Sequence, residues 1–301
     1  MKPVSAQIWF LKCSIAAGLS LLVYAAIAIA GPKAPPLPTS RDGALTVLDR
    51  YVQEPVPGVL LVGSSLTTRL NEAYFDTPDL RVIGLAGGSP ITALEVALSR
   101  NRLPKTILIE MNILVRGEDP VLVQRFSGGA TSTWPRPIKS AIAFYERWLH
   151  APPDRRQARA DAAALLQRPP SDFDSRIYAD RALRQSNAED PTVAVRGNVA
   201  RMEQLVAAIE KRGARVLLYE LPYSEQLEGS QSARTTREIV HSKFPDPDRW
   251  LHLDFTRSEL RWADGVHLDE RSALIVAQSM DRALSSLLGP ASLNIRNGPA
   301  L

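Results

Sequence analysis

The sequence predicts an α/β protein: a three-layer α/β/α sandwich around a mainly parallel sheet of roughly five strands, with a helical insertion. Short runs of branched apolar residues alternate along the chain with segments whose apolar residues recur every three or four positions. Such runs are typical of parallel strands covered on both faces, and the alternation is typical of helices that cross between them. A third observation is that the alternation stops between residues 115 and 190, where no strand pattern occurs.

Five segments have the strand pattern. They are VLLVG (59–63), RVIGLA (81–86), TILIEMN (106–112), RVLLYEL (215–221) and WLHLDF (250–255). The helical pattern covers residues 91–100, 195–212 and 269–288. Ser89 before Pro90 predicts the start of the first helix, Gly213 the end of the second, and Asp269 the cap of the third.

Residues 115–190 are predicted to form a largely helical insertion packed over the strand ends. Arginine, alanine, proline and aspartate dominate this segment. Its apolar residues include Phe126, Trp134, Phe144, Tyr145 and Trp148. Aromatic residues at helical spacing are typical of a structural cap over apolar surface. The alternative is a lid that shapes a substrate site.

The N-terminal segment 1–30 has the pattern of a membrane anchor. Lys2 and Lys12 precede residues 13–30, which carry no charge and are about long enough to span a bilayer. The positive-inside rule places the N-terminus in the cytoplasm, which puts the segment in the inner membrane and the body in the periplasm or outside the cell. Residues 28–30, Ala-Ile-Ala, also fit a signal peptidase site, so secretion after signal cleavage is the alternative. Residues 31–41 are proline-rich and predict an extended linker.

The remaining composition predicts one globular domain over residues 42–289 and a tail over residues 290–301. The 301-residue chain has a net charge of +4 without Lys/Arg blocks, so no nucleic-acid partner is expected. Cys13 is the single cysteine and excludes an intrachain disulfide. With one cysteine and four histidines, the sequence predicts neither a metal site nor a cofactor.

The first strand pattern ends in Gly63, Ser64 and Ser65. In a parallel sheet, ligand and catalytic groups gather past the carboxyl ends of the strands, and a glycine there allows a tight turn. An isolated Gly-Ser-Ser is more often an ordinary turn than a catalytic one. Its meaning therefore depends on a second motif about 200 residues later.

That second motif is Asp264-Gly-Val-His267, in a loop before the last predicted helix. An aspartate three residues before a histidine, across a glycine, can hold the imidazole in one tautomer. The other ring nitrogen can then take a proton from a serine hydroxyl. Together with the serine-bearing turn, the motif predicts a Ser-His-Asp triad for acyl chemistry.

These segments resemble the conserved blocks of the GDSL, or SGNH, hydrolases, which have a flavodoxin-like fold. VLLVGSSL is similar to the nucleophile block, with Ser65 at the serine position, and ADGVHLDERSALIVAQ to the last block, with Asp264 and His267 as orienter and base. The resemblance implies an oxyanion hole. Its donors are the N–H of Ser65, the N–H of Gly88, with Gly87 as the alternative, and the side chain of Asn112.

Three positions depart from the family pattern: Ser64 replaces the usual aspartate, Glu110 the usual glycine, and Ile113 a second aspartate. For Glu110 we consider an acid in the pocket, and favour an ion pair with an arginine at the edge of the core. The Gly-Ser-Ser turn, the anchor and the late Asp-x-x-His also resemble, more distantly, the D-alanyl transfer proteins of teichoic acid synthesis.

The resemblance implies an extracytoplasmic serine hydrolase that acts on an acylated envelope glycan or lipid through an acyl-serine. An O-acyltransferase that modifies an envelope polysaccharide would use the same residues. It would also need a membrane-bound protein to deliver its acyl donor. A silent glycan-binding or scaffold module is the alternative from another class, because fold alone does not determine function.

Overall fold

The computed structural model describes residues 6–30, 43–77, 79–127 and 155–292. The chain divides into two compact units, one of residues 1–37 and 132–152, the other of residues 38–131 and 153–301. In the smaller unit the described element is α1 (Ala6–Ala30), and the side chains of residues 24–30 are not described. Among the described residues, no helix has both the length and the apolar character needed to cross a membrane. The predicted linker 31–41 lies outside the described residues.

The larger unit is built on a four-stranded, all-parallel sheet. Its strands are β1 (Val59–Gly63), β2 (Leu80–Gly84), β3 (Thr106–Glu110) and β4 (Arg215–Tyr219). Their order is β2-β1-β3-β4, with Val62 opposite Ile83 on one side and Ile109 on the other. The chain therefore crosses from β1 to β2 in one direction and from β2 to β3 in the other. This makes the carboxyl ends of β1 and β3 a topological switch point, where α/β sheets bind ligands.

Helices cover both faces of the sheet. They are α2 (Gly43–Gln53), α3 (Pro90–Leu98), α4 (Pro120–Ser127), α5 (Arg155–Gln167), α6 (Arg176–Ser186), α7 (Thr192–Lys211), α8 (Glu225–Glu228), α9 (Gln231–Lys243) and α10 (Glu270–Ser292). Short 3₁₀ helices span Thr67–Arg69, Glu72–Tyr74, Pro247–Arg249 and Arg257–Glu259. The predicted α/β fold class is confirmed.

Alternating strand residues separate two apolar cores, as the period of two along a strand requires. Leu60 and Val62 face the first core, which they share with α2, α3, α7 and α9. Val59 and Leu61 face the second core, which they share with α10 and with the segments after β4. All five residues of β1 are buried, which explains its uninterrupted apolar sequence.

The predicted fifth strand, residues 250–255, does not form. Trp250 makes an isolated bridge to Leu218, and the N–H of Leu251 donates to the carbonyl of Leu218 at 2.7 Å. No further ladder bonds follow, and the segment is held by the packing of Leu251, Leu253 and Phe255 against the second core. The apolar alternation that suggested a strand therefore marks side-chain packing at the sheet edge.

The predicted helix caps are confirmed. The hydroxyl of Ser89 accepts a hydrogen bond from the N–H of Ile91, with Pro90 as the first residue of α3. The carboxylate of Asp269 accepts from the N–H of Ser272 at 2.8 Å, at the start of α10. Gly213 follows α7 with a φ of 84°, a left-handed conformation that favours glycine.

The described parts of the predicted insertion are largely helical. They comprise α4, α5 and α6, and Phe126 of α4 is buried in the first core. Residues 128–154, which include Trp134, Phe144, Tyr145 and Trp148, lie outside the described residues. Residues 293–301, most of the predicted tail, do so too.

Candidate active site

β1 ends in a tight turn of residues 64–67, the serine turn, whose two serines have opposite environments. Ser64 is fully buried, and its hydroxyl donates to Oε1 of Glu110 at 2.6 Å. Ser65 is half-buried, and within the described part of the chain neither its hydroxyl nor its backbone N–H makes a hydrogen bond. A nucleophile needs an accessible oxygen whose proton is free to move to a base. This arrangement favours Ser65 over Ser64.

The carboxylate of Glu110, the last residue of β3, accepts hydrogen bonds from two residues of the serine turn, Ser64 and Thr67. Its Oε2 accepts from the N–H of Ser64 at 2.9 Å, the N–H of Thr67 at 3.3 Å and the hydroxyl of Thr67 at 2.6 Å. Burial raises the pKa of the Glu110 carboxyl above its usual range, against the opposing effect of these hydrogen bonds. The predicted ion pair with an arginine is wrong, because the carboxylate is fully buried and its described partners are Ser64 and Thr67.

Two glycines make room for this arrangement. A Cβ on Gly63 would lie 2.5 Å from Oε2 of Glu110 and would overlap the hydroxyl of Thr67. A Cβ on Gly84, at the end of β2, would lie 2.5 Å from the backbone nitrogen of Thr68. Any larger residue would therefore push the serine turn away from β2 and β3.

The predicted aspartate–histidine pair forms in a loop of residues 262–268, the histidine loop. Oδ2 of Asp264 lies 2.7 Å from Nδ1 of His267, and Oδ1 accepts from the N–H groups of Val266 and His267. Burial alone would raise the pKa of Asp264, but the hydrogen bonds from His267 outweigh it and hold the pKa below its usual range. An ionised Asp264 accepts a hydrogen bond from Nδ1–H of His267, which leaves Nε2 as the basic nitrogen.

The histidine loop packs against α6 of the insertion. Gly265 has a φ of 81°, and a Cβ there would lie 2.5 Å from the Cα of Ala179. The hydroxyl of Ser224 also donates to the carbonyl of Gly265 at 2.8 Å. The insertion thus contacts the loop that carries His267, which the sequence did not reveal.

The two predicted glycine donors differ in availability. The N–H of Gly88 donates to the carbonyl of Leu85 at 2.9 Å, within a turn whose third residue, Gly87, has a φ of 73°. The N–H of Gly87 makes no hydrogen bond in the described part of the chain, and Gly87 is exposed. The structure therefore favours Gly87, the alternative, over Gly88 as an oxyanion donor.

Asn112, the predicted side-chain donor, lies two residues past β3. Its Nδ2 donates to the carbonyl of Leu221 at 2.9 Å, and its Oδ1 accepts from the N–H of Leu221 at 2.6 Å. One of the two Nδ2 protons is therefore used, and the other is the one left for an oxyanion. The hydroxyl of Tyr223 also donates to the carbonyl of Asn112, so this segment is tied to the chain after β4.

These contacts connect the serine turn to the histidine loop. Glu110 and Asn112 link the serine turn to the segment after β4, where Ser224 contacts Gly265. Leu66 and Leu268, each next to a predicted triad residue, belong to the same apolar core. The two halves of the predicted site therefore lie in one connected network.

The structure brings the aspartate and the histidine into contact but does not join the serine to them. No hydrogen bond connects Ser65 to His267 among the described residues. A concavity of about 670 Å³ lies beside the histidine loop and is lined by Trp262, Arg257 and other residues. Ser65 and His267 do not line it, so the side-chain geometry, rather than this concavity, marks the site. Comparisons with protein-family models, with curated proteins and with solved structures find no match for this chain.

Proposed function

We propose that this chain is a serine-dependent acyl-ester hydrolase that acts outside the cytoplasm on an acylated envelope glycan or lipid. The observation that carries the proposal is the contact of 2.7 Å between Asp264 and Nδ1 of His267. This contact leaves Nε2 of His267 free for general-base chemistry. The histidine loop and the serine turn contribute Leu268 and Leu66 to the same apolar core. The resemblance of VLLVGSSL and ADGVHLDERSALIVAQ to two blocks of the SGNH hydrolases supports the same assignment.

In the first half-reaction, Nε2 of His267 takes the proton of the Ser65 hydroxyl while Oγ attacks the ester carbonyl carbon. The N–H groups of Ser65 and Gly87 and the free Nδ2 proton of Asn112 would donate to the oxyanion of the tetrahedral intermediate. The bond from carbon to the alcohol oxygen then breaks, and His267 returns its proton to the leaving alcohol. An acyl-serine remains.

In the second half-reaction, His267 takes a proton from water, whose oxygen attacks the acyl-serine. Collapse of the second tetrahedral intermediate breaks the bond to Oγ, and the proton goes back to Ser65. Asp264 stays ionised throughout and holds the imidazole in place, which its lowered pKa favours.

The proposed location rests on the residue pattern of the N-terminal segment. Lys2 and Lys12 precede the uncharged residues 13–30, which favours a cytoplasmic N-terminus and an external body. In the described part of α1, residues 8–23 are exposed, including Trp9, Phe10 and Leu22. We propose that this segment either anchors the chain or directs its export.

The test is a chromogenic acetyl ester incubated with the full chain, followed by mass spectrometry of the trapped intermediate. We expect release of the chromophore and an acetyl group on the peptide that contains Ser65. Ser65→Ala is the control and should lose both signals. Hydrolysis without any adduct on this peptide would contradict the proposal.

Adding a soluble acetyl acceptor, such as a short oligosaccharide, separates hydrolysis from transfer. A hydrolase releases acetate at a rate that the sugar does not change, because water is the acceptor. Acetylated sugar as the main product would replace the hydrolase assignment with the acyltransferase alternative. Ester turnover absent under all conditions would favour the silent module.

A further inference from the structure

Four hydrogen-bond donors converge on the buried carboxylate of Glu110. They are the backbone N–H groups and the hydroxyls of Ser64 and Thr67. An ionised carboxylate only accepts hydrogen bonds, and this one meets only donors among the described residues. No lysine, arginine or histidine of the described chain forms a salt bridge with Glu110, so the hydrogen bonds of the serine turn are what opposes the effect of its burial.

The backbone N–H groups of the serine turn show what this convergence achieves. Those of Ser64 and Thr67 donate to Glu110, and that of Leu66 donates to the hydroxyl of Ser64 at 3.2 Å. The Ser64 hydroxyl in turn donates to Glu110. Of the four N–H groups, only that of Ser65 has no partner in the described chain.

A second set of contacts fixes the turn from the side. The hydroxyl of Thr67, which donates to Glu110, lies 2.8 Å from the hydroxyl of Tyr219 on β4. Gly63 has no side chain because Thr67 and Glu110 occupy its space. The turn is therefore attached through Glu110 to β3 and through Thr67 to β4.

Accepting these hydrogen bonds does not by itself require a charge, and burying a charge without a cation is costly. A neutral amide side chain would avoid that cost but has one acceptor oxygen instead of two. A carboxylate with two oxygens has a different advantage. It can fix two residues of a turn, on either side of the nucleophile, with directional bonds.

We propose that Glu110 is a positioning residue for the nucleophile, holding Ser64 and Thr67 so that the hydroxyl and the N–H of Ser65 stay free for the acyl group. This inference rests on the proposed function, because it assumes that Ser65 is the nucleophile. Glu110 makes no hydrogen bond with Ser65 in the described chain and acts through Ser64 and Thr67.

The test compares Glu110→Gln in the full chain with wild type and with a matched control. Glutamine keeps the shape but places an amide N–H₂ among donors, so at least one hydrogen bond of the turn must reverse or be lost. Glu220→Gln is the control, because Glu220 directly follows β4 but pairs with Arg237 and His241, away from the turn. Labelling with a fluorophosphonate reports the reactivity of the serine without any substrate.

We expect Glu110→Gln to label about 10- to 100-fold more slowly than wild type, the loss typical of a displaced reacting group. With a chromogenic acetyl ester, kcat should fall by a similar factor while KM stays within about twofold. Glu220→Gln should label like wild type. Equal labelling of wild type and folded Glu110→Gln would overturn the positioning role and leave the proposed hydrolase intact.

Thr67→Val decides the question if Glu110→Gln does not fold. It removes one donor and the link to Tyr219 but keeps the carboxylate and the side-chain shape. It should label at least about fivefold more slowly than wild type, and unchanged labelling would overturn the role. A wild-type chain that does not label at Ser65 would instead contradict the proposed function, and the inference with it.

Discussion

At the scale of single residues, the serine turn separates two chemically identical side chains by burial. Ser64 is fully buried and donates its hydroxyl to Glu110, whereas Ser65 is half-buried and its hydroxyl has no described partner. Only a hydroxyl with a free proton and a path to substrate can act as a nucleophile. The backbone follows the same division, because the N–H of Ser65 is the one N–H of the turn without a partner in the described chain.

Substitution of each serine by alanine should therefore have unequal effects. Ser65→Ala should abolish the acyl-enzyme and lower ester turnover by roughly 10³-fold or more, as the loss of a triad member does. Ser64→Ala removes one hydrogen bond to Glu110 and should lower kcat by about tenfold through a less ordered turn. Steady-state kinetics with an acetyl ester measure both. A dead Ser64→Ala beside a near-normal Ser65→Ala would place the nucleophile one residue earlier.

Replacing Glu110 with glutamine should change how stability depends on pH. Because burial raises the pKa of Glu110 above 4.5, the folded state holds this proton more tightly than the unfolded state does. The resulting stabilisation is complete below pH 4.5 and is lost as the pH rises through the folded pKa. Over the interval above pH 4.5, wild type should thus lose free energy of unfolding relative to Glu110→Gln, as measured by urea denaturation.

A rise of this free-energy difference with pH, instead of a fall, would also be informative. Wild type that gains free energy of unfolding relative to Glu110→Gln over this interval would mean that the four hydrogen bonds outweigh burial. Glu220→Gln serves again as the control, since Glu220 is half-buried and ion-paired.

At the scale of elements, the histidine loop depends on α6 of the insertion. Gly265 lies so close to this helix that a Cβ would overlap the backbone of Ala179. The neighbouring Asp264 and His267 form their own hydrogen bonds within the loop, but the position of the loop depends on the helix. The insertion is therefore more than a surface addition, which supports a role in shaping the site.

Gly265→Ala tests this contact, with Gly213→Ala as its matched control. Both glycines have a φ above 80°, but nothing lies within 4 Å of a Cβ on Gly213. Backbone strain alone should cost each variant about 1 to 2 kcal/mol of unfolding free energy. Gly265→Ala should cost more and should also lose ester turnover, because the displaced loop moves His267. If Gly265→Ala and Gly213→Ala were equally stable and equally active, α6 would be shown to move aside without displacing the histidine loop.

At the scale of the whole molecule, the serine turn and the histidine loop are about 200 positions apart in the sequence but contribute Leu66 and Leu268 to the same apolar core. The order β2-β1-β3-β4 puts the ends of β1 and β3 side by side, so the serine turn lies beside Glu110 and Asn112. The chain after β4 then bonds to Asn112 and to Gly265. The site is thus a product of sheet order, although its motifs are local.

The proposed topology predicts where the carboxyl terminus lies. A reporter fused after Leu301 should be active only if it works outside the cytoplasm, since the lysines precede the apolar segment. Parallel fusions of alkaline phosphatase and of green fluorescent protein measure this, because each is active on one side only. Fluorescence of the second fusion without phosphatase activity of the first would contradict the proposed location.

Features with local causes could be predicted before the structure. Apolar runs predicted β1 to β4, polar residues predicted the caps of α3 and α10, and the three-residue spacing of Asp264 and His267 predicted their contact. Each depends on neighbours within one turn or one strand. The tertiary structure alone decided the partners of Glu110, which lie 43 and 46 residues away, and the availability of Gly87 over Gly88. It also removed the fifth strand, because a strand needs a ladder of hydrogen bonds that no apolar pattern contains.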